Sequence, residues 1–320
     1  MQFPFTLNEK EFDAVGFGLN AVDHLIVVPA YPAFDTKTRL SEHVQAAGGQ
    51  TATAMVALRR LGLRTAYAGR FGSDAEGHFG LATVREEGVD VSYAEMIEGA
   101  STQIAFILID APSGERTVIW DRDDRIAYGP DDAPLELAAR GRVLHLDAHD
   151  PPACARMARA ARDGGTIVSA DIDNIYEGLP ELLPLIDILI SSSEFPRRLT
   201  GITDPRAALI EIRARYGCAL VGMTLGERGA LLYLDGMFLE SPALCVPGGC
   251  RDTTGAGDAF HAGFLYGLLT GEEIETSLQL ANATASLKCR SLGARTSLPT
   301  QAELHQFIQG NPAPLQAARD

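Results

Sequence analysis

The residues best suited to chemistry lie at positions 252–258, where the sequence is Asp-Thr-Thr-Gly-Ala-Gly-Asp. Residues 259–269 are apolar and rich in small side chains, and we predict that they form a helix directly behind this turn. Glycine allows backbone conformations that side chains forbid. The first N–H groups of a helix have no carbonyl partner within it, and together with the helix dipole they favour an anion. The sequence therefore predicts an anion site at the main chain of Gly255, Ala256 and Gly257.

The carboxylate of Asp258, at the end of this turn, would repel an anion unless it takes part in the chemistry. One role is to accept a proton from a hydroxyl group that attacks a phosphoryl group held by the same N–H groups. The alternative is an N-terminal helix cap, for which aspartate is a favoured residue. The two glycines and the preceding Asp-Thr-Thr favour the catalytic role, so we interpret Asp258 as a general base.

The motif and the residues after it, Ala-Phe-His-Ala-Gly-Phe, resemble the C-terminal signature of the ribokinase-like (PfkB) carbohydrate kinases. The resemblance implies that Asp258 is the base and that the Gly255-Ala256-Gly257 backbone holds the phosphate being transferred. It also implies a ribokinase-like three-layer α/β/α domain, with a central, mostly parallel sheet and a small β-sheet lid. The expected donor is ATP, with Mg²⁺ bridging its phosphates.

Composition narrows the class of protein. The chain has 320 residues, of which 46% are apolar, and a formal net charge of −15. We expect one domain over residues 1–320. The acidic surface argues against nucleic acid and anionic membranes as partners. Five scattered cysteines without a Cys-x-x-Cys pair predict a reduced, cytoplasmic protein. No apolar run is long enough to span a membrane, and no signal peptide is evident.

From Arg142 onward, strand and helix patterns alternate along the chain. Such alternation predicts a parallel sheet covered on both faces, with ligands at the carboxyl ends of its strands. By this interpretation Glu194, Thr224 and Gly226 fall at strand ends. We therefore expect the donor to bind at this edge of the sheet.

The nucleotide candidates are Thr224, Gly226, Gly229, Thr254 and Asn282. A glycine turn between two strands needs no function by itself, but the resemblance implies that Thr224-x-Gly226-x-x-Gly229 contacts the nucleotide. It also places Asn282, on a helix predicted over 273–288, beside the adenine and ribose. The alternative for Asn282 is an exposed helical asparagine.

The metal candidates, Glu194 and Asp252, rest on the resemblance. Family members often bind a monovalent cation such as K⁺ through oxygen ligands from the segment of Asp252 and Thr254 and from a loop near residues 286–297. Oxygen-rich surroundings suit such a hard cation. The family's Asn-x-x-Glu segment, which serves magnesium, corresponds here to Ser-Ser-Ser-Glu, so Glu194 is retained and the asparagine is not.

The substrate candidates lie in the N-terminal part. Gly48-Gly49 precedes a small-residue helix, residues 51–61, and together they resemble the family's N-terminal signature. Many members carry asparagine where Thr53 stands, and that asparagine contacts the sugar. The resemblance implies that Asp23 binds sugar hydroxyls; the alternative is a turn residue between two strands.

Lys37 is a further substrate candidate. A lysine in an exposed strand is usually solvated and protects a sheet edge. In sulfosugar kinases of the family, a lysine at this position helps to hold the sulfonate. Here Trp120 and His149 stand where those enzymes have asparagine and arginine, which argues against a sulfosugar.

Two stretches, about residues 22–46 and 102–121, are predicted to supply the strands of the lid. Residues 36–46 suit an exposed strand, and residues 103–109 and 116–120 flank a hairpin turn. A lid would exclude water, which competes as phosphoryl acceptor. The family implies a homodimer formed through this sheet.

We therefore predict an ATP-dependent kinase that phosphorylates a primary hydroxyl group of a small-molecule sugar, of the ketohexose or fructose type. A nucleoside acceptor is the second hypothesis. The third, from a different class, is a regulatory protein that binds sugar or nucleotide without turnover, although an intact catalytic motif argues against it.

Overall fold

Strands and helices alternate along most of the chain in the computed structural model, which describes residues 1–311 and 316–318. The strands are β1 (Phe12–Phe17), β2 (Ala21–Val28), β3 (Glu42–Gly48), β4 (Thr65–Ala68), β5 (Arg70–Gly72), β6 (Glu95–Ile97), β7 (Ile104–Asp110), β8 (Arg116–Asp121), β9 (Gly141–Leu146), β10 (Ile167–Ile172), β11 (Ile188–Ser192), β12 (Leu220–Thr224), β13 (Ala230–Leu234), β14 (Met237–Ser241) and β15 (Gln316–Ala318). The α-helices are α1 (Gln50–Arg60), α2 (Ala75–Glu86), α3 (Leu135–Ala138), α4 (Pro151–Asp163), α5 (Leu179–Leu182), α6 (Glu194–Thr200), α7 (Pro205–Tyr216), α8 (Ala256–Thr270), α9 (Ile274–Lys288) and α10 (Gln301–Gly310).

The central sheet has the strand order β15-β14-β13-β12-β11-β10-β9-β1-β4 among the described residues. The pairs from β4 to β12 are parallel, and those from β12 to β15 are antiparallel. The predicted mostly parallel sheet is therefore confirmed.

Helices cover both faces of this sheet, because successive side chains of a strand point in opposite directions. On β9, Val143 packs into a core shared with α1, α8 and α9, whereas Leu144 packs into a second core shared with α3, α4 and α7. Both side chains are fully buried. The three-layer α/β/α architecture follows from these two cores and agrees with the prediction.

Helix α8 lies in the first of these cores and is held close to α9 by two glycines. A Cβ atom at Gly263 would stand 2.7 Å from Ala281 Cα, and one at Gly267 would stand 2.8 Å from Ser277 Cα. On its other side, His261 Nε2 lies 3.3 Å from an Asp171 carboxylate oxygen on β10. The first turn of α8 is therefore fixed near the carboxyl ends of the parallel strands.

A smaller sheet, with the order β3-β2-β7-β8, lies beside the central one. The strand expected over residues 36–46 begins only at Glu42, and residues 32–41, including Lys37, form exposed non-strand structure. Pro32 and the polar run after it supply few side chains that could pack against a sheet face. Among the described residues, no helix is both long and apolar enough to cross a lipid bilayer.

Candidate active site

The anion turn, residues 252–258, leads directly into α8. Gly255 is the N-terminal cap of the helix and has a left-handed φ of 79°. A Cβ atom there would lie 2.8 Å from Ala294, so only glycine fits. No described atom other than the helix backbone and adjoining residues lies within 4 Å of the position of a Gly257 Cβ, which leaves room for a ligand. Ala256 N–H donates to Thr253 O at 3.1 Å and closes the turn.

Asp258 is the third residue of α8, so the alternative role of N-terminal cap is wrong. Its side chain is buried, with 8% of the residue exposed. Burial raises the pKa of Asp258 well above its ordinary value, the neighbouring Asp171 carboxylate raises it further, and Arg116 and Arg295 oppose the shift. A carboxylate with a raised pKa is a stronger base, which suits it to proton abstraction near neutral pH.

A buried arginine, Arg295, joins the N-terminal signature to the C-terminal part of the chain. Its Nε donates to Thr53 Oγ1 at 3.2 Å, and another guanidinium nitrogen donates to Gly48 O. Burial lowers the pKa of Arg295 to about 10, although Asp23 and Asp258 oppose the shift. Arg295 lies within the predicted cation loop near residues 286–297, but no sequence pattern assigned it a role. In this chain, therefore, the Thr53 hydroxyl contacts Arg295.

Asp23 lies inside β2, so the alternative of a turn residue is wrong. It is buried and packs against Gly48, where a Cβ atom would stand 2.1 Å from an Asp23 carboxylate oxygen. Gly49 has a φ of 92°, and a Cβ atom there would lie 2.4 Å from Asn20 Cα. The predicted glycine pair therefore allows the chain to pass directly beside the Asp23 carboxylate.

Two of the nucleotide candidates, Asn282 and Gly229, meet at Ser241. The Asn282 side-chain amide donates to Ser241 Oγ at 2.9 Å and to Ser241 O at 3.2 Å. A Cβ atom at Gly229 would stand 2.0 Å from that same carbonyl oxygen. Asn282 is buried, so the alternative of an exposed helical asparagine is wrong. Thr224 ends β12, and Gly226, with a φ of 59°, opens the turn that leads to Gly229.

The two metal candidates lie in opposite environments. Glu194 begins α6, its side chain is 65% exposed, and it pairs with Arg197 at 2.6 Å. Asp252 is fully buried, and its two carboxylate oxygens accept N–H groups of Thr254 and Gly293, each at 2.8 Å. Within the part of the chain that the structure describes, no group of three or more His, Cys, Asp or Glu side chains could hold a metal ion.

A monovalent cation does not fit beside Asp252, because Lys288 is already there. Its Nζ donates to Asp252 O at 2.9 Å and lies 3.8 Å from a carboxylate oxygen. Burial lowers the pKa of Lys288, and the Asp252 charge opposes that shift. A second cation about 4 Å from the ammonium would meet roughly 4 kcal/mol of repulsion at an effective dielectric constant of about 20. No sequence pattern pointed to Lys288.

Two contacts join the small sheet to the anion turn. Arg116 on β8 donates to Thr253 Oγ1 at 2.5 Å, and Arg251 pairs with Glu42 on β3 at 3.1 Å. Thr254 Oγ1 is buried and has no hydrogen-bond partner among the described residues. This hydroxyl belongs to the residue before Gly255, and it stays a candidate hydrogen-bond donor to a ligand of the turn.

Comparison with known proteins identifies the family. The chain matches the pfkB family carbohydrate kinases over residues 15–301. It is 27% identical to a nucleoside kinase of Methanothermobacter thermautotrophicus, covering 92% of this chain and 94% of that protein. It is 28% identical to fructokinase-1 of Zea mays, covering 92% and 97%. A candidate ribokinase from Agrobacterium tumefaciens superposes with a TM-score of 0.86 at 26% identity, covering 93% and 98%.

The chain therefore belongs to the pfkB family of carbohydrate kinases, and its fold is ribokinase-like. It is a phosphotransferase with an alcohol group as acceptor, as the sequence analysis predicts. A ribokinase of Arabidopsis thaliana with this fold, 23% identical, has been solved in complex with ribose and ATP.

The buried Asp23 carboxylate should make stability depend on pH. Burial raises its pKa from an ordinary value of 3.8 to about 6. Above that pH the folded protein carries a desolvated negative charge on Asp23. As the pH falls towards 4, Asp23 takes up a proton in the folded protein before it does so in the unfolded chain, so the folded protein gains stability. Asp23→Asn should therefore raise the free energy of unfolding at pH 8 by up to about 3 kcal/mol, with little difference near pH 4.

Denaturant unfolding of both proteins at pH 4, 6 and 8 measures this effect. Asp131→Asn is the matched control, because the Asp131 side chain is 87% exposed and its replacement removes no buried charge. An Asp23→Asn protein that is less stable than the parent at pH 8 would contradict the proposed cost of the buried charge.

Proposed function

We propose that the protein transfers the γ-phosphoryl group of ATP to a primary hydroxyl group of a sugar, with Asp258 as the general base. The proposal rests on the Asp258 carboxylate, which is buried in the first turn of α8 next to main-chain N–H groups. Gly257 leaves space for a ligand in front of these groups. Burial and Asp171 increase its affinity for a proton. A hydroxyl group beside Asp258 would lose its proton as it attacks phosphorus in line.

The chain's own groups would then stabilise the charge that develops. The N–H groups of Gly255 and Gly257 would meet the negative terminal phosphate, whereas the Ala256 N–H already donates to Thr253 O, and the helix dipole favours the phosphate there. The Thr254 hydroxyl is a further donor at the same turn. Mg²⁺ bound to the phosphates would neutralise their charge, and Glu194, an exposed oxygen ligand, is our candidate for its hydrated shell.

The acceptor side is built from the small sheet and α1. Asp23, Ala105 and Trp120 are directly opposite one another on β2, β7 and β8, so their side chains share one face. The Trp120 side chain is mostly open to solvent there. A carboxylate with an aromatic ring two strands away suits a compound that has both hydroxyl groups and an apolar ring face. We place a ketohexose or related sugar first and a nucleoside second, and Lys37 stays a candidate contact.

A panel of sugars and nucleosides, assayed by ADP release from ATP, tests the proposal. We expect turnover with at least one sugar, and a ketohexose to be the preferred acceptor. Turnover with nucleosides alone would replace the sugar by the second hypothesis. ATP binding without turnover on any acceptor would favour a regulatory protein and contradict the kinase proposal.

Replacing the base should stop the chemistry and leave binding intact. Asp258→Asn keeps the size of the side chain but cannot accept the proton, so kcat should fall by about 10²–10⁴. ATP affinity, measured by calorimetry, should change little. Asp204→Asn is the matched control, because Asp204 caps α7, where asparagine caps equally well, and its activity should equal that of the parent. Full activity in Asp258→Asn would remove Asp258 from the role of base.

We also propose a homodimer formed through the small sheet. His24, Phe106 and Ile119 are opposite one another on β2, β7 and β8, on the face away from Asp23. Phe106 and Ile119 are 43% and 58% exposed, and the His24 ring stacks on Phe106 with centroids 5.0 Å apart. An exposed aromatic and aliphatic strip on a sheet is typical of a protein contact.

A charge in this strip should dissociate the dimer. Light scattering after size exclusion should show the parent as a dimer and Phe106→Lys as a monomer at the same concentration, because the lysine would be buried without a partner. Ile210→Lys is the matched control, since Ile210 is 44% exposed on α7, far from the strip in the sequence. A monomeric parent, or dissociation by Ile210→Lys alone, would refute this interface.

We assign the protein to the cytoplasm on the evidence of its cysteines. Each of the five is unpaired: Cys154, Cys218, Cys245, Cys250 and Cys289. Free thiols, two of them exposed, suit a reducing compartment.

A further inference from the structure

Lys288, the last residue of α9, sends its side chain into the interior behind the anion turn. The side chains of Lys288 and Asp252 are both fully buried. The ammonium nitrogen donates to Asp252 O at 2.9 Å and lies 3.8 Å from the nearer carboxylate oxygen. The Lys288 side chain therefore joins the end of α9 to Asp252, the first residue of the anion turn.

We propose that the Lys288 ammonium is a built-in replacement for the monovalent cation that the resemblance implies at Asp252, so that this kinase works without potassium. The inference rests on the proposed function and concerns how the activity depends on monovalent cations. The two segments expected to supply oxygen ligands do come together, since Gly293 N–H donates to the Asp252 carboxylate. The positive charge between them, however, comes from the protein.

The oxygen atoms of Asp252 and the Lys288 carbonyl oxygen already accept hydrogen bonds. One Asp252 carboxylate oxygen accepts Thr254 N–H, the other accepts Gly293 N–H, and the Asp252 carbonyl accepts Lys288 Nζ. The Lys288 carbonyl accepts Ser297 Oγ. A hard cation here would have to share these oxygen atoms with the hydrogen bonds already made, and it would lie beside the positive charge of the ammonium.

The presence of a lysine rather than an arginine at this position supports the same proposal. The chain contains three lysines and 24 arginines, yet the buried cation at Asp252 is a lysine. An ammonium is a compact point charge, whereas a guanidinium is a planar fork. Of the two side chains, the ammonium resembles a monovalent metal ion more closely in shape and in its preference for oxygen.

The ammonium acts on catalysis through Asp252. It balances the charge of a carboxylate that accepts hydrogen bonds from Gly293 N–H and Thr254 N–H, and the second of these sets the backbone immediately before Gly255. An unbalanced buried carboxylate would be costly and would draw the turn towards another partner. Lys288 is therefore a positioning residue for the anion turn.

The first experiment compares the unmodified enzyme in KCl, NaCl and tetramethylammonium chloride at equal ionic strength. ADP is separated and measured directly, because coupling enzymes can respond to potassium themselves. We expect kcat values within about twofold of one another. Activation by potassium of about tenfold or more would overturn the proposal.

The second experiment removes the ammonium. Lys288→Ala should lose about tenfold or more of kcat in tetramethylammonium chloride and regain much of it in KCl, because the alanine leaves space for the ion. Lys288→Met, which fills the space without a charge, should be impaired in both salts. Lys10→Ala is the matched control, since Lys10 also donates to a carbonyl, that of Gly164, but lies in the N-terminal segment. Full activity of Lys288→Ala without potassium would overturn the proposal.

Thermal unfolding provides a readout that does not depend on turnover. The melting temperature of the parent should be the same in potassium and tetramethylammonium, whereas that of Lys288→Ala should rise in potassium by about 3 °C or more. A potassium-specific rise in the parent would overturn the proposal even if no acceptor were found. If no acceptor is phosphorylated and the melting temperature of the parent does not respond to potassium, the result counts against the proposed function alone. If Lys288→Ala does not fold, the measurement on the parent still tests the proposal.

Discussion

One buried guanidinium, that of Arg295, holds the two halves of the site in register. It comes from the segment after α9, yet its hydrogen bonds go to Gly48 before α1, to Thr53 within α1 and to Thr83 in α2. An isolated buried charge costs several kcal/mol, so it must be compensated. Here the compensation comes from the Asp23 and Asp258 carboxylates, the expected acceptor contact and base. The same charge therefore positions the acceptor side and keeps two acids from repelling each other.

The base strength of Asp258 is set by opposing charges on different elements. Burial and Asp171, on β10, raise its pKa, whereas Arg295 and Arg116 lower it. Asp171 lies on β10 of the central sheet, but Arg116 and Asp23, which lower and raise the pKa of Asp258 respectively, lie on the small sheet. The proton affinity of the base is thus coupled to the position of the strands over the acceptor.

The sequence predicted the elements whose patterns are local. Alternating strands and helices after Arg142 gave the parallel sheet, and the two glycine motifs marked the points where backbone approaches a carboxylate or starts a helix. The strand over residues 36–46 was predicted too early, because polar side chains can occupy either a sheet edge or a loop. The periodicity of a helix or a strand predicts which of its own side chains share a face. It does not predict contacts with residues that are distant in the sequence.

The partners of the buried charges could not be predicted for that reason. Lys288 and Asp252 are 36 residues apart, and Arg295 and Thr53 are 242 apart. The only local signal was a charged residue at the end of an apolar helix, which is usually a solvated end. Whether such a residue turns inward depends on a carboxylate from another segment, so only the folded chain shows it.

Trp120 is the only tryptophan in the protein, and it lies on β8 four residues after Arg116. Its indole ring is half open to solvent on the face that Asp23 shares. The tryptophan fluorescence of the whole molecule therefore comes from a single ring on the Asp23 face of the small sheet. This protein carries its own optical probe of that face, on the strand that contacts the anion turn, and needs no added dye.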